Sequence, residues 1–216
     1  MTIAVRPLTG AALQAALPDL ARLRITVFAA WPYLYAGSEE YEREYLADFT
    51  ASPDAVLVGA FDRDRIVGAA TASPLSAQDD YIRAPFVAAG IDPAAVFYFG
   101  ESVLLQDYRG QGIGHAFFDH REAAARAWGA NHASFCAVVR PADHPACPAG
   151  YVPLDAFWTR RGYAPVPGMV GSFAWADHGE AGGYGNRTRI CEPSRSEVIR
   201  GAKVCKVSCS SRWWLS

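Results

Sequence analysis

The chain has 216 residues, 51% of them hydrophobic, which is enough for one domain with a core and an additional tail. Its 22 acidic and 20 basic residues leave a formal net charge of -2, which argues against a dedicated nucleic-acid binder. No stretch approaches the roughly 20 uninterrupted apolar residues of a membrane span, and the first residues lack a secretory-signal pattern, so we expect a cytoplasmic protein without nucleic-acid or membrane partners.

The N-terminal part of the chain predicts a strand, two helices and a β-hairpin. Apolar residues at helical spacing predict the first helix, which should end at Trp31 because the residue before a proline disfavours helical angles. Ser38 precedes an acidic run and suits the N-cap of the second helix. The predicted elements are a strand at 3–8, helices at 17–30 and 39–48, and hairpin strands at 55–61 and 65–73.

The following part predicts strands that alternate with helices. Residues 74–95 contain three prolines and little periodicity, so they predict a long loop or irregular insert. Hairpin strands followed by alternating strands and helices predict a mixed α/β (α+β) sheet rather than an all-parallel one. The predicted elements are strands at 96–105, 133–139 and 170–175, and helices at 113–128 and 154–161.

The cysteines do not indicate a secreted disulfide framework, because there are five of them at irregular spacing. Four potential zinc ligands follow a spacing that matches no compact zinc module, so we expect no metal site. These four residues are His132, Cys136, His144 and Cys147.

The composition changes near residue 177. Residues 184–216 contain seven basic and two acidic side chains, together with three of the five cysteines. Such a segment without clear periodicity predicts a disordered or non-native tail, and the alternative is a basic arm that contacts an acidic partner. We therefore expect a domain at 1–177 and a basic, cysteine-containing tail at 178–216.

The most informative segment is a glycine-rich turn at 109–114 between a predicted strand and a predicted helix. Its alternating glycines allow the backbone to approach a ligand closely. Unpaired amides at the start of the helix point toward an anion, and the helix dipole favours a negative charge there. Together with the positive charge of Arg109, these features predict a site for a diphosphate.

Two common nucleotide-binding motifs and one hydrolase motif do not fit. A Walker loop requires Lys and then Ser or Thr after the last glycine, but His115 and Ala116 follow Gly114. A Rossmann turn requires a different glycine spacing after an early strand of a parallel unit. Ser102 begins a pattern like a serine-hydrolase elbow, but Leu104 occupies the position of the final glycine.

The turn RGQGIG at 109–114, after the apolar strand ESVLL at 101–105, resembles the acyl-CoA-binding signature of the GNAT superfamily of N-acetyltransferases. FWTRRGY at 157–163 resembles the penultimate helix of that family, and the order of elements matches over residues 3–176. The resemblance implies a central mixed, mostly antiparallel sheet, flanked by helices and splayed at the acyl-CoA site.

The resemblance also implies that acetyl-CoA, or another short acyl-CoA, is the co-substrate and that a free primary amine attacks its thioester directly. The strand end would contact the pantetheine arm, and the turn would hold the pyrophosphate. A homodimer is common among similar proteins. The residues implied in acyl-CoA binding are Val103, Leu104, Leu105, Arg109, Gly110, Gln111, Gly112, Ile113 and Gly114.

Glu101 is the candidate general base, because direct attack requires a neutral amine and similar proteins often have a carboxylate on this strand. Many family members protonate the departing thiolate with a Tyr, but this chain has Trp158 at the matching position, and an indole does not serve as an acid. Tyr151, Tyr163 or water could replace the missing acid. The difference also leaves open a second hypothesis, a non-catalytic sensor that binds acyl-CoA without acylating an amine.

The acceptor side is predicted at the first two helices and the insert. Tyr33 and Tyr35 lie in an aromatic loop beside an acidic run, and aromatic faces with carboxylates suit a cationic amine. The alternative is that these aromatic residues pack a helix junction. The acceptor class stays open between a small-molecule amine and a peptide amine.

Overall fold

The computed structural model describes residues 3–138, 140–141, 143–167, 169–173, 175, 186–190 and 204–206. The helices among them are α1 Gly10–Phe28, α2 Glu39–Ala51, α3 Asp80–Ala88, α4 Ile113–Trp128 and α5 Asp155–Arg160. The strands are β1 Ala4–Leu8, β2 Val56–Asp62, β3 Arg65–Pro74, β4 Val96–Leu104, β5 His132–Val138, β6 Ala164–Pro165, β7 Val170–Phe173, β8 Asn186–Ile190 and β9 Val204–Lys206.

The strands form one mixed sheet in the order β1-β2-β3-β4-β5-β8-β7, with β9 paired to β5 and β6. Strands β1 to β4 are antiparallel neighbours, whereas β4 and β5 run parallel and are connected through α4. The predicted fold class, a mixed and mostly antiparallel sheet flanked by helices, is therefore confirmed. Strands β8 and β9 belong to the segment predicted as a tail; the rest of 178–216 lies outside the described residues, and the domain boundary stays a prediction.

The core lies on both faces of the sheet, because alternate residues of each strand point to opposite sides. Leu57 of β2 packs with Leu20 and Leu23 of α1, whereas the next residue, Val58, packs with Phe117 of α4. Helices α1 and α2 thus cover one face of the sheet, and α4 covers the other.

Two predicted segments differ from the structure. Helix α1 begins at Gly10 rather than at residue 17 and contains Pro18, because Leu13 and Leu20 extend its buried face across the proline. The prediction of a long loop or irregular insert at 74–95 is wrong, because this segment contains α3. Ile82 and Phe86 are four residues apart and buried in the core, and their burial stabilises the helix despite its proline.

Strands β4 and β5 separate halfway along their length. Their parallel pairing runs from Val96 and His132 to Phe99 and Phe135. Beyond that point β4 continues beside β3, and β5 continues beside β8. The sheet is therefore splayed at the carboxyl end of β4, as the resemblance implied, and this gap opens next to the segment that leads into α4.

Across the described ranges, no helix combines the length and apolarity that a membrane span requires. The same part of the chain contains no cluster of three or more His, Cys, Asp or Glu side chains placed to hold a metal ion.

Candidate functional site

The glycine-rich turn lies open at the surface between β4 and α4. Gly110 and Gly112 have φ angles of +75° and +82°, in the left-handed region that favours glycine, and Gly112 is the N-cap of α4. A Cβ added at either glycine would have no other atom within 4 Å. No side chain among the described residues therefore fills the space in front of these two glycines.

The amides of this turn are available to a ligand. The amides of His115 and Ala116 donate to the carbonyl of Gly112, at 2.9 and 3.2 Å. Within the described ranges no acceptor receives the amides that precede them in the turn, which belong to Gln111, Gly112, Ile113 and Gly114. Unpaired amides at a helix N-terminus form a site for an anion.

Two side chains hold the turn in place. Arg109 donates through Nε to the carbonyl of Leu104 at 3.3 Å, and Gln111 donates through Nε2 to the carbonyl of Asp107 at 3.1 Å. Arg109 is exposed, so its positive charge lies at the surface beside the turn. The predicted turn residues thus lie together at the open N-terminus of α4, and their contacts with acyl-CoA stay a prediction.

Successive residues of β4 beside the gap direct their backbone N–H and C=O groups alternately toward β3 and away from it. The amide of Leu105 donates to the carbonyl of Val67 on β3 at 3.0 Å, so Leu105 and Val103 point their backbone groups toward β3. Ser102 and Leu104 consequently point theirs away from β3, toward the side on which β5 has separated. The sequence predicts Val103, Leu104 and Leu105 as pantetheine contacts, and this stays a prediction. It does not show that Ser102 and Leu104 share one backbone direction, because this alternation depends on the strand register.

A β-bulge in β4 lies at the start of the gap. The pairing of β3 with β4 shifts register between Ala70 and Ala72, so that Thr71 lies opposite two residues, Gly100 and Glu101. The Glu101 amide donates to Oγ1 of Thr71 at 3.1 Å rather than to a strand carbonyl. The extra residue redirects the following side chains, and Glu101 points toward α1 and α2.

Arg121 of α4 fixes this bulge from the other face of the sheet. Its Nη1 donates to the carbonyls of Thr71 and Glu101, at 3.4 and 3.3 Å, and so joins the two strands where their register shifts. The guanidinium lies against the rings of Phe99 and Phe118, and the residue is only 2% exposed. Burial lowers the pKa of Arg121 to about 10, so the side chain is still a cation at neutral pH.

We expect Gly100→Ala to lower the free energy of unfolding by about 1–3 kcal/mol. A Cβ at Gly100 would lie 2.5 Å from Thr71 Oγ1, and moving that hydroxyl breaks its hydrogen bond with the Glu101 amide. Urea denaturation would measure the loss. In a Thr71→Ala background the same substitution should be less destabilising, and an equal loss in both backgrounds would contradict the steric explanation.

The Glu101 side chain is buried in a polar cluster between the sheet and the first two helices. Oε2 of Glu101 lies 2.9 Å from Nη1 of Arg24 and accepts a hydrogen bond from the Tyr45 hydroxyl at 3.4 Å. Nε of Arg24 also pairs with Oε2 of Glu42, whose Oε1 accepts from the Tyr35 hydroxyl at 2.8 Å. Burial, and next the Glu101 carboxylate, raise the pKa of Tyr45, so this phenol stays a donor.

The other carboxylate oxygen of Glu101 is unoccupied. Oε1 has no hydrogen-bond partner among the described residues, whereas Oε2 has two partners. The unpaired side-chain atoms sealed from solvent in the described part are Nε1 of Trp31, Oγ of Ser134 and Nε of Arg161, so Glu101 Oε1 is not sealed. A buried carboxylate with one anchored and one accessible oxygen is arranged to accept a proton or bind an ammonium group.

The two candidate acceptor residues differ in position. Tyr35 is buried and its hydroxyl is bound to Glu42, which favours a packing role over contact with an acceptor. Tyr33 stacks on Phe28 with a centroid distance of 4.2 Å and is only half-buried. Burial, with smaller effects from Cys136 and Glu101, raises the pKa of Tyr33, so its phenol is neutral at physiological pH.

Helix α5 is held against the first turns of α4. Nη2 of Arg161 pairs with Asp119 at 2.6 Å and with Glu122 at 3.0 Å. A Cβ added at Gly114 would lie 3.6 Å from the ring of Phe157, so α5 forms the wall beside the start of α4. At that distance a Cβ would be in ordinary van der Waals contact with the ring, so the packing of the two helices does not itself require glycine at position 114.

Trp158 and the two tyrosines that could act as the general acid differ in their burial and in their hydrogen bonds. The ring centroid of Trp158 lies 5.2 Å from that of Phe135, where the indole packs against the core. Tyr163 is buried and donates its hydroxyl to Glu122 at 2.6 Å, and burial raises its pKa further from the neutral range. Tyr151 is 39% exposed, so of the two named tyrosines it is the one that can exchange protons with solvent.

Comparisons with known proteins agree with this fold. The model of the acetyltransferase (GNAT) family matches residues 23–150. The ribosomal-protein-alanine N-acetyltransferase of Brucella melitensis has a TM-score of 0.54 and 14% identity, over 86% of this chain and 98% of that one. NAA60 of Arabidopsis thaliana, solved with acetyl-CoA, has a TM-score of 0.53 and 15% identity, over 87% and 96%. No curated protein matches the sequence.

Proposed function

This chain belongs to the acetyltransferase (GNAT) family, and from that premise we propose that it transfers an acetyl or other short acyl group from acyl-CoA to a primary amine. The proposal rests on two features that lie close together along β4. The open turn with unpaired amides follows the end of this strand, and Glu101, whose Oε1 has no partner among the described residues, lies on the strand just beyond its last pair with β5. One feature suits the acyl donor, and the other suits the acceptor amine.

The donor would bind along the gap. Amides of Gly112, Ile113 and Gly114 would donate to the pyrophosphate, and Arg109 would add a positive charge at the mouth of the turn. The pantetheine arm would lie beside β4, where the backbone groups directed away from β3 replace the missing pairing with β5. This arrangement would place the thioester near the bulge at Glu101.

The reaction would proceed by direct attack, without a covalent enzyme intermediate. The ammonium group of the acceptor gives a proton to Oε1 of Glu101, directly or through water, and the neutral amine attacks the thioester carbonyl. A C–N bond forms as the C–S bond breaks, the CoA thiolate leaves, and the nitrogen gives its second proton to water. Water or Tyr151 returns a proton to the thiolate, because Tyr163 is bound to Glu122.

The acceptor in this proposal is a small-molecule or peptide amine. The half-buried ring of Tyr33 and the carboxylate of Glu101 support a cationic group at the gap. A homodimer and a cytoplasmic location, which the sequence analysis anticipates, stay predictions.

A second function, a sensor that binds acyl-CoA without catalysis, is favoured by the packed indole of Trp158. We expect amine-dependent release of free thiol when the protein is incubated with acetyl-CoA and a panel of a polyamine, an aminoglycoside, lysine and a peptide with a free N-terminus. A thiol reagent measures the release, and calorimetry measures acetyl-CoA binding. Tight binding without amine-dependent thiol release would support the sensor instead.

A further inference from the structure

Arg24 is shared by two buried carboxylates. Its Nε pairs with Glu42 and its Nη1 pairs with Glu101, so one guanidinium faces two acids. Burial opposes the charge of Arg24, but Glu101 and Glu42 raise its pKa above the ordinary value and keep it a cation. With both acids ionised, this cluster of Arg24, Glu42 and Glu101 has a net charge of -1.

The two carboxylates of the cluster differ in how many of their oxygen atoms have a hydrogen-bond or ion-pair partner. Glu42 is 0% exposed, and both of its oxygens are occupied, Oε1 by the Tyr35 hydroxyl and Oε2 by Arg24. Glu101 has only Oε2 occupied, by Arg24 and Tyr45, while its Oε1 has no partner in the described part of the chain. The negative charge that Arg24 does not compensate is therefore accessible only at Glu101.

Other titratable groups face this cluster without changing that assignment. Tyr33, Tyr35 and Tyr45 are phenols whose pKa values burial raises, so they are neutral at physiological pH. Arg121 is a second buried cation that interacts electrostatically with Glu101, although its hydrogen bonds go to backbone carbonyls, and its charge is the same in every variant compared below. The groups that face Glu101 are Arg24 on α1, Glu42 and Tyr45 on α2, Tyr33 on the α1–α2 loop and Arg121 on α4.

A carboxylate paired with its own buried arginine is a weak base, because the cation stabilises the ionised form. Resting on the proposed function, we propose that Glu42 is a positioning residue that shares Arg24 with Glu101, so that Arg24 only partly compensates the negative charge that Glu101 offers to the acceptor ammonium. Glu42 does not contact the acceptor. It acts through Arg24, which anchors one oxygen of Glu101 and leaves the other without a partner in the described part of the chain.

The test is the pH dependence of kcat/KM for the amine in Glu42→Gln. Glutamine has nearly the same shape as Glu42 but carries no charge, so the positive charge of Arg24 then stabilises the ionised form of Glu101 alone. The midpoint of the acidic limb of the pH profile should therefore fall by on the order of one pH unit. The maximal rate should fall as well, because Glu101 becomes a weaker base. Glu44→Gln is the matched control, since Glu44 lies on the same helix but is exposed, and its profile should not shift.

Arg24→Gln provides an independent test with the opposite sign. Removal of the cation leaves two carboxylates together, so the acidic limb should move to higher pH. Acetyl-CoA affinity, measured by calorimetry, shows that each variant is folded. An unshifted limb in folded Glu42→Gln, or a downward shift in Arg24→Gln, would overturn the role of Glu42.

Glu101→Gln separates this inference from the proposed function. If Glu101→Gln loses amine acylation while Glu42→Gln leaves the limb in place, the shared-arginine role is wrong but the transferase stands. If Glu101→Gln retains the rate and pH profile of the unmodified protein, Glu101 is not the base, so the shared-arginine role of Glu42 fails while acyl transfer itself stands. Absence of amine-dependent thiol release in the unmodified protein would instead overturn the proposed function.

Discussion

Gly112→Asp is expected to weaken acetyl-CoA binding by about 100-fold or more, a loss of roughly 2.7 kcal/mol, while the fold is retained. Gly112 is the N-cap of α4, and the space around it is open. An aspartate there would accept hydrogen bonds from the first amides of the helix, as N-cap side chains do. Its carboxylate would thus occupy the anion site itself and repel the diphosphate of acetyl-CoA.

The fold should survive this change because two effects on stability offset each other. The left-handed φ of +82° costs a non-glycine residue about 1–2 kcal/mol, whereas an aspartate N-cap contributes about 1 kcal/mol. Gly112→Ala is the matched control, because it introduces the same backbone strain without the charge. Calorimetric titration should show a much smaller loss of affinity for Gly112→Ala, and equal losses would mean that strain, not occupancy of the anion site, weakens binding.

The turn and its helix could be predicted because their signals are local. Gly112 and Gly129 both adopt left-handed angles and bound α4 at 113–128, the range that the sequence predicts. Glycines at both ends of an amphipathic segment are sufficient to define such a helix without knowledge of the rest of the fold. The family signature at 109–114 could be recognised for the same reason, because it is a short continuous segment of the sequence.

The polar cluster and the bulge could not be predicted in this way, because each depends on contacts between distant elements. The bulge requires Thr71 of β3 and Arg121 of α4, which are 50 residues apart in sequence. One signal for the cluster was visible: Arg24 lies in the apolar stripe of α1, four residues after Leu20 and four before Phe28. A cation on a buried face indicates a buried acidic partner, although the sequence does not say which acid fulfils this role.

The largest catalytic effect is expected for Glu101→Gln, which should lower kcat for amine acylation by about 100-fold or more. Glutamine cannot accept the proton of the ammonium group, so the amine stays protonated at neutral pH. The fold should tolerate the change because Arg24 still pairs with Glu42. Acetyl-CoA affinity should change little, because the residues of the turn at 109–114 are separate from the carboxylate.

The pH profile distinguishes loss of a base from displacement of the substrate. A general base gives the pH profile of the unmodified protein an acidic limb, and this limb should disappear in Glu101→Gln while the ionisation of the amine still affects the rate. A displaced amine would instead raise KM and leave the limb in place. Measurement of thiol release across pH, at saturating acetyl-CoA, separates these outcomes. A retained limb with normal kcat would assign Glu101 to the anchoring of Arg24 alone and require the proton to leave through water.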